Sequence, residues 1–245
     1  NKKKTGLWMM TFSNVASLVG AGAVVSVVAE GYNSGISYGI ILPLGFIFGA
    51  ILLAIFGYKI KEFSAKHDIY TIVEFFEKRF DRKNKILVGF LQIILLLFWI
   101  GIQAVAFASL ASVLIGFDYI FALILASVIT ILYTAIGGLK VDIISDFIQF
   151  WIIFIMFIVI FVIGLGNVGG FENLFSSLPQ GHLDVFSFGG IGFFISATLF
   201  SGFLFIAGTQ NWQRIISAKN KEVARKSFLL SIPFLIIISI FTLFM

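Results

Sequence analysis

The sequence contains no cysteine, which excludes disulfide staples, thiol catalysis and cysteine-based metal sites. Charge is also scarce. Only 12% of residues are Asp, Glu, Lys or Arg, against 60% apolar, and the mean hydropathy is +1.08. That balance excludes a soluble globular domain. No nucleophile–base pair or metal-ligand constellation can be picked out, which argues against an enzyme. A paired-carboxylate metal site would need a second aspartate-rich loop, and none is present. Nucleic-acid binding would need a basic face on a soluble scaffold, so no nucleic-acid partner is expected.

The apolar residues form seven stretches, at about 7–30, 36–58, 86–115, 119–137, 143–165, 186–208 and 228–245. Each has about 20 residues or more, enough to cross a hydrocarbon core of about 30 Å. Positive charge is missing from every second loop. The 17 Lys and Arg residues fall before the first stretch (Lys2, Lys3, Lys4), between Lys59 and Lys85, at Lys140, and between Arg214 and Lys226. The loops 31–35, 116–118 and 166–185 have none. Basic residues next to membrane segments stay cytoplasmic, so the pattern predicts seven crossings with the N-terminus inside, in the cell (inner) membrane. The net charge of +5 reads as topology. The three N-terminal lysines resemble a signal peptide, but the following run is too long and too interrupted by polar residues, so it reads as a true span. The chain starts at Asn1 and stops at Met245 within an apolar run, as expected of a piece with a C-terminal continuation.

Segment 1 is interrupted by Ser13, Asn14, Ser17, Gly20, Gly22 and Ser26. Polar groups at membrane depth are tolerated only against protein or a water-lined cavity, so a broken, site-forming helix is expected; a small-residue packing face is the alternative. The sixth stretch has a similar set in Ser196, Thr198, Ser201, Gly202, Gly208, Thr209 and Gln210, with the same two readings. The polar segment 59–85 reads as a short amphipathic helix on the inner membrane surface, or a solvated loop. The Gly-, Ser- and Pro-rich loop 166–185 is the best internal boundary. Gln103 in mid-span reads as an interhelical hydrogen bond, Glu30 as interfacial, and the 31 phenylalanines as mostly lipid-facing bulk.

Gly137 and Gly138 break the fourth stretch before the fifth opens with Asp142, Asp146 and Gln149, which share one helical face. Asp142 suits a helix N-terminus, where backbone N–H groups are free. Asp146 lies about a turn deeper, and an ionisable residue there marks an ion pathway by default.

The run 134–151, TAIGGLKVDIISDFIQFW, resembles the signature of the sodium:solute symporter family, with Ser145 where the family usually has threonine. IYTIVEFFEKRF (69–80) is similar to a family loop, with Val73 in place of proline, and WQRIISAK (212–219) to the stretch after the sixth core helix. The resemblance runs from about residue 8 to the C-terminus. It implies an all-α integral membrane protein of five-plus-five inverted-repeat fold, with a complete first repeat (7–165) and the first two helices of the second (186–245). It also implies a partial sodium site from the backbone carbonyls of Phe12 and Val15, completed by hydroxyls of an eighth core helix beyond residue 245. Substrate-facing candidates are Asn14, Ser17, Thr209 and Gln210, and ion-pathway candidates are Asp146 and Gln149. No cofactor is implied besides Na⁺ as coupling ion. Apolar Leu18 and Val19 stand where sugar-transporting relatives have polar ligands, so a small carboxylate, amino acid or vitamin-like acid is as good a fit as a sugar. The expected function is sodium-coupled symport of a small organic solute across the bilayer. The alternative is the membrane sensor module of a transporter-like histidine kinase.

Overall fold

The computed structural model describes residues 5–244, with side chains for all of these except 21, 133–137 and 140. In order, the helices are α1 (Leu7–Leu18), α2 (Ala21–Ser34), α3 (Ile36–Gly39), α4 (Ile41–His67), α5 (Ile72–Arg79), α6 (Arg82–Ile115), α7 (Tyr119–Val168), α8 (Phe171–Ser177), α9 (Gly190–Ala207), α10 (Thr209–Ser217) and α11 (Lys221–Leu243). Among the described residues there is no strand, only an isolated parallel bridge between Thr5 and Ala218.

Polar residues start the helices that need a defined entry. Asp81, Asp118 and Asn220 each accept a backbone N–H from the first turn of α6, α7 and α11, satisfying a donor that has no partner within the helix. Thr71 and Glu74 form a reciprocal capping box at the start of α5.

Five helices among the described residues are long and apolar enough to cross a membrane: Ile36–His67, Arg82–Ile115, Val141–Val168, Gly190–Ala207 and Lys221–Leu243. Counted as one span, the bent pair Leu7–Leu18 and Gly22–Ser34, whose axes meet at 53°, makes a sixth of sufficient length and apolarity. The predicted fourth span, 119–137, coincides with the first arm of α7, which runs from Tyr119 to a break at Gly138. The side chains described in this arm, to Leu132, form an apolar helix, and helical geometry is interrupted at Gly138, with φ 56° and ψ −170°. A residue with a Cβ rarely adopts that φ, so the two arms of α7 are divided at a position that favours glycine.

Burial separates a core from a lipid-facing shell. Residues of α1, α4, α10 and α11 form most of the buried apolar cluster, including Met10, Val15, Leu53, Ile215 and Phe228. Only 11% of the apolar windows of α6 and of the second α7 arm is buried. Exposed Ile, Leu and Phe on those helices suit a lipid environment. Small residues bring α4 and α9 together. A Cβ on Gly45 would collide with Ser201, one on Gly49 with Phe205, and one on Gly202 with Phe48. The small residues of the sixth stretch therefore serve helix packing near Gly202, while its break comes later, at Gly208.

The polar segment 59–85 contains more helix than a surface loop needs. α4 continues to His67, and Asp68 then turns the chain through a left-handed conformation. α5 packs on protein, with Phe75 against both Phe63 and Trp212. Lys61, buried at 6% exposure, donates to the Ile216 carbonyl near the end of α10. In the loop 166–185, the His182 carbonyl accepts the Ile36 N–H at 2.8 Å, tying this loop to the far end of α2.

Candidate functional site

Two helices are interrupted. In the first, Val19 leaves helical geometry and Gly20 is extended, with ψ 165°, before α2 begins. In the second, Gly208 is extended between α9 and α10. α6 crosses both interruptions. Gln103 Oε1 accepts the Gly22 N–H at 2.9 Å, so the expected interhelical hydrogen bond is made. Gln92 spans the other break: its Nε2 donates to the Ala207 carbonyl at 2.8 Å and its Oε1 accepts the Thr209 N–H at 3.1 Å.

Beside the breaks lies a cavity of about 2050 Å³. Its walls are largely apolar, with Val24, Trp99, Phe107, Ile153 and Phe157 among them. Polar groups gather at one end, where Ser17, Gln103, Asp142, Asp146, Gln149, Gln210 and Arg214 line it. The other end reaches Tyr32, Asn33 and His182.

The polar end is built around Arg214 on α10. Its Nη2 donates to Asp146 Oδ2 at 2.7 Å and lies 3.4 Å from Asp142 Oδ2; its Nε donates to Ser13 Oγ at 3.1 Å. Ser13 in turn donates to Asp146 Oδ2 at 2.6 Å. Among the described residues, Arg214 Nη1 is buried without a hydrogen-bond partner. Three separate elements, α1, the second arm of α7 and α10, thus meet at one carboxylate. Two carboxylates face one guanidinium, so this end of the cavity favours a cation.

The segment before α1 and the segment after α10 are also joined through backbone groups. The Thr5 N–H donates to the Ser217 carbonyl at 3.4 Å, and the Lys219 N–H to the Thr5 carbonyl at 3.1 Å. This backbone tie lies at the face that carries the basic loops.

The expected site residues are distributed unevenly. Ser17, Asp146, Gln149 and Gln210 come together around the cavity, and the Gln210 Oε1 is buried with no hydrogen-bond partner among the described residues. Asn14 does not line it. It is 1% exposed, its Nδ2 donates to Ser227 Oγ of α11 at 3.4 Å, and its Oδ1 has no hydrogen-bond partner among the described residues. Thr209 is also absent from the lining and meets Gln92 through its backbone. Phe12 and Val15 lie inside α1, ahead of the break. The Val15 carbonyl accepts the Val19 N–H at 3.0 Å, and the Phe12 ring stacks on Phe150 at 4.4 Å.

In the sequence Arg214 stands among the loop cations and in the family-like stretch 212–219, neither of which places it in a site, and Gln92 stands in an apolar run with no assigned role. A signal for Arg214 was available: it is followed directly by two isoleucines, an unusual setting for a solvated arginine.

The rabbit (Oryctolagus cuniculus) sodium/glucose cotransporter 1 is 30% identical over 168 residues, 67% of this chain and 25% of that protein. The sodium-coupled monocarboxylate transporter 2 of Danio rerio is 26% identical over 185 residues, 73% of this chain and 28% of that protein. A solved structure of a Na⁺-coupled sialic acid symporter, in a substrate-bound outward-open state, superposes with a TM-score of 0.85 at 20% identity. It covers 99% of this chain and 52% of the other, which establishes the fold. The chain spans about a quarter of the length of those two curated relatives. The model of the sodium:solute symporter family matches residues 2–245, and the chain belongs to that family.

Proposed function

We propose that the full-length protein carries out sodium-coupled symport of a small organic solute by alternating access. The observation that carries this reading is the Ser13–Asp146–Arg214 cluster, set at the inner end of a cavity flanked by two broken helices. Residues 7–165 are read as the first five-helix repeat, and 186–245 as the start of the inverted second. The charge pattern supports this arrangement, because it brings the two broken helices into the membrane from opposite faces. The N-terminus is cytoplasmic in this reading, in the cell membrane.

Half-helix ends supply free carbonyls for Na⁺. Phe12 and Val15 are the carried-over carbonyl ligands; since Val15 already accepts Val19, its second lone pair is the one left for an ion. Asp146 lies on the ion's inward path with Gln149 beside it. Ser17 and Gln210 face the solute. The buried Arg214 contacts and the Thr5 tie close the cytoplasmic side, so the cavity faces outward. Sodium favouring this state would strengthen solute binding, and by linkage solute would strengthen sodium binding. The named relatives are transporters, and no observation favours the sensor reading.

The test is uptake by the full-length protein in proteoliposomes, with an inward Na⁺ gradient or with choline replacing Na⁺. Uptake that requires Na⁺ is expected, and equal uptake under the two conditions would overturn the reading. Asp146→Asn is expected to slow sodium-dependent uptake; a wild-type rate would remove Asp146 from the pathway.

A further inference from the structure

The turn between α5 and α6 carries Lys78, Arg79, Arg82 and Lys83 close together. All four are exposed, and none makes an ion pair among the described residues. The acidic groups beside them are already engaged. Glu74 belongs to the capping box of α5, Glu77 is paired with Lys85 at 2.7 Å, and Asp81 caps α6 by accepting the Asn84 N–H at 2.8 Å. Positive charge is therefore in excess at this corner.

The other basic stretch, from Arg214 to Lys226, is different. Arg214 is buried against Asp146, Lys221 pairs with Glu62 at 2.9 Å, and Lys226 pairs with Glu222 at 3.3 Å. The rule that keeps basic loops in the cytoplasm counts cations and not their partners. Topology alone thus gives no reason for one stretch to be paired and the other to be left open.

α6 runs from this corner straight into apolar residues. Arg82 stands one turn before Ile86 and Ile86 one turn before Phe90, while Lys83 stands one turn before Leu87. Ile86, Leu87 and Phe90 are exposed, on a helix whose apolar window is only 11% buried. The cations of α6 thus stand over its lipid-facing side, where the apolar surface begins. Phe80, between the two pairs of cations, is 61% exposed, with its ring stacked on Phe76. Exposed aromatic and cationic side chains together suit the boundary between headgroups and acyl chains.

We propose that the α5–α6 corner binds an anionic phospholipid, with Lys78, Arg79, Arg82 and Lys83 on its headgroup and Phe80 and the exposed face of α6 against its acyl chains. None of these residues lines the cavity, so the site is separate from the solute and ion sites. A lipid meets both parts of the surface at once: charge-assisted hydrogen bonds at the phosphate and apolar contact a turn deeper. Each cation near an anionic headgroup strengthens binding about fivefold.

The test is native mass spectrometry of the full-length protein, released from micelles containing equal amounts of dioleoyl phosphatidylglycerol and dioleoyl phosphatidylcholine. The wild type is expected to retain phosphatidylglycerol over phosphatidylcholine by about tenfold or more. Lys78→Gln/Arg79→Gln and Arg82→Gln/Lys83→Gln should each lower that preference several-fold; Lys59, Lys66 and Lys85 stay in place to hold the orientation of the chain. Phe80→Ser changes no charge and should weaken retention of phosphatidylglycerol. Lys219→Gln/Arg225→Gln removes two exposed cations of the other basic stretch and should leave the preference as it is. Equal retention of the two lipids by the wild type would overturn the proposal, as would an equal fall in the Lys219→Gln/Arg225→Gln variant. Displacement of the lipid by inorganic phosphate, but not by chloride at the same ionic strength, would assign the corner to a free anion and overturn it too. Unchanged retention in Phe80→Ser would overturn the acyl-chain contact.

Discussion

Arg214 and Asp146 make a 2.7 Å ion pair in which neither partner is more than 7% exposed, and Ser13 bonds to both. Removing one side strands a buried charge, and such losses cost about 3–5 kcal/mol. Asp146→Asn in the full-length protein should therefore lower thermal stability by a comparable amount. The double variant Asp146→Asn/Arg214→Gln should recover much of it, because no charge is left unpaired. Thermal melts in detergent of the wild type and these two variants check this. Equal loss in the single and double variants would count against the pairing.

Gln92 joins α9 to α10 through one amide. Replacing it by alanine leaves the Ala207 carbonyl and the Thr209 N–H without these partners, and each unsatisfied buried group costs about 1–3 kcal/mol. Gln92→Ala should lower stability and slow transport, with little change in the order in which solutes are preferred. Gln92→Glu should fall between, since it keeps the acceptor for Thr209 but loses the donor to Ala207.

Gly49 and Gly202 set the spacing between α4 and α9. A Cβ at Gly49 would strike Phe205, and at Gly202 it would strike Phe48 and lie 3.0 Å from the Gly45 carbonyl. Overpacking of this kind costs about 1–3 kcal/mol. Gly202→Val should destabilise more than Gly101→Val, since a Cβ on Gly101 meets nothing within 4 Å. Paired melts of these two variants are the measurement.

The corner between α5 and α6 is expected to respond to acid. A hydrogen bond from Lys85 holds the Glu77 carboxyl below its ordinary value, and the Asn84 backbone N–H does the same for Asp81. Folded values below the unfolded ones mean stabilisation present above pH about 4 and lost as the pH falls through the folded values. Hydrogen exchange over residues 72–85 should quicken below pH about 4. The double variant Glu77→Gln/Asp81→Asn should flatten that dependence. Both groups are solvent-exposed, so the effect is local.

Much of the architecture was legible because lipid enforces it. Long apolar runs separated by basic loops leave few alternatives, and a carboxylate one turn inside such a run identifies itself, as Asp146 did. The partners of that carboxylate were less visible. Arg214 belongs to a basic stretch in the sequence, and it becomes a buried residue only when α10 folds back beneath α1. Asn14 shows a similar limit from the other side. Its polarity marked the right segment, but helical periodicity does not say which neighbour a face meets, and this one meets Ser227 on α11. The first break falls within the polar and glycine set between Ser13 and Ser26. The polar residues 13–17 lie in regular helix, and the chain bends only at Val19 and Gly20, where Gln103 approaches from a helix some eighty residues further along the chain.

The tie between Thr5 and the segment 217–219 is made only of main-chain groups. Its survival therefore does not depend on which side chain occupies position 5 or 219, and proline, which has no N–H, is the residue that would remove a donor. The ion pair above it can be retuned or lost by a single codon change. The two fastenings thus have different evolutionary fates: the side-chain contacts are open to adaptation for each ion and solute, while the backbone fastening can be inherited through wide sequence drift.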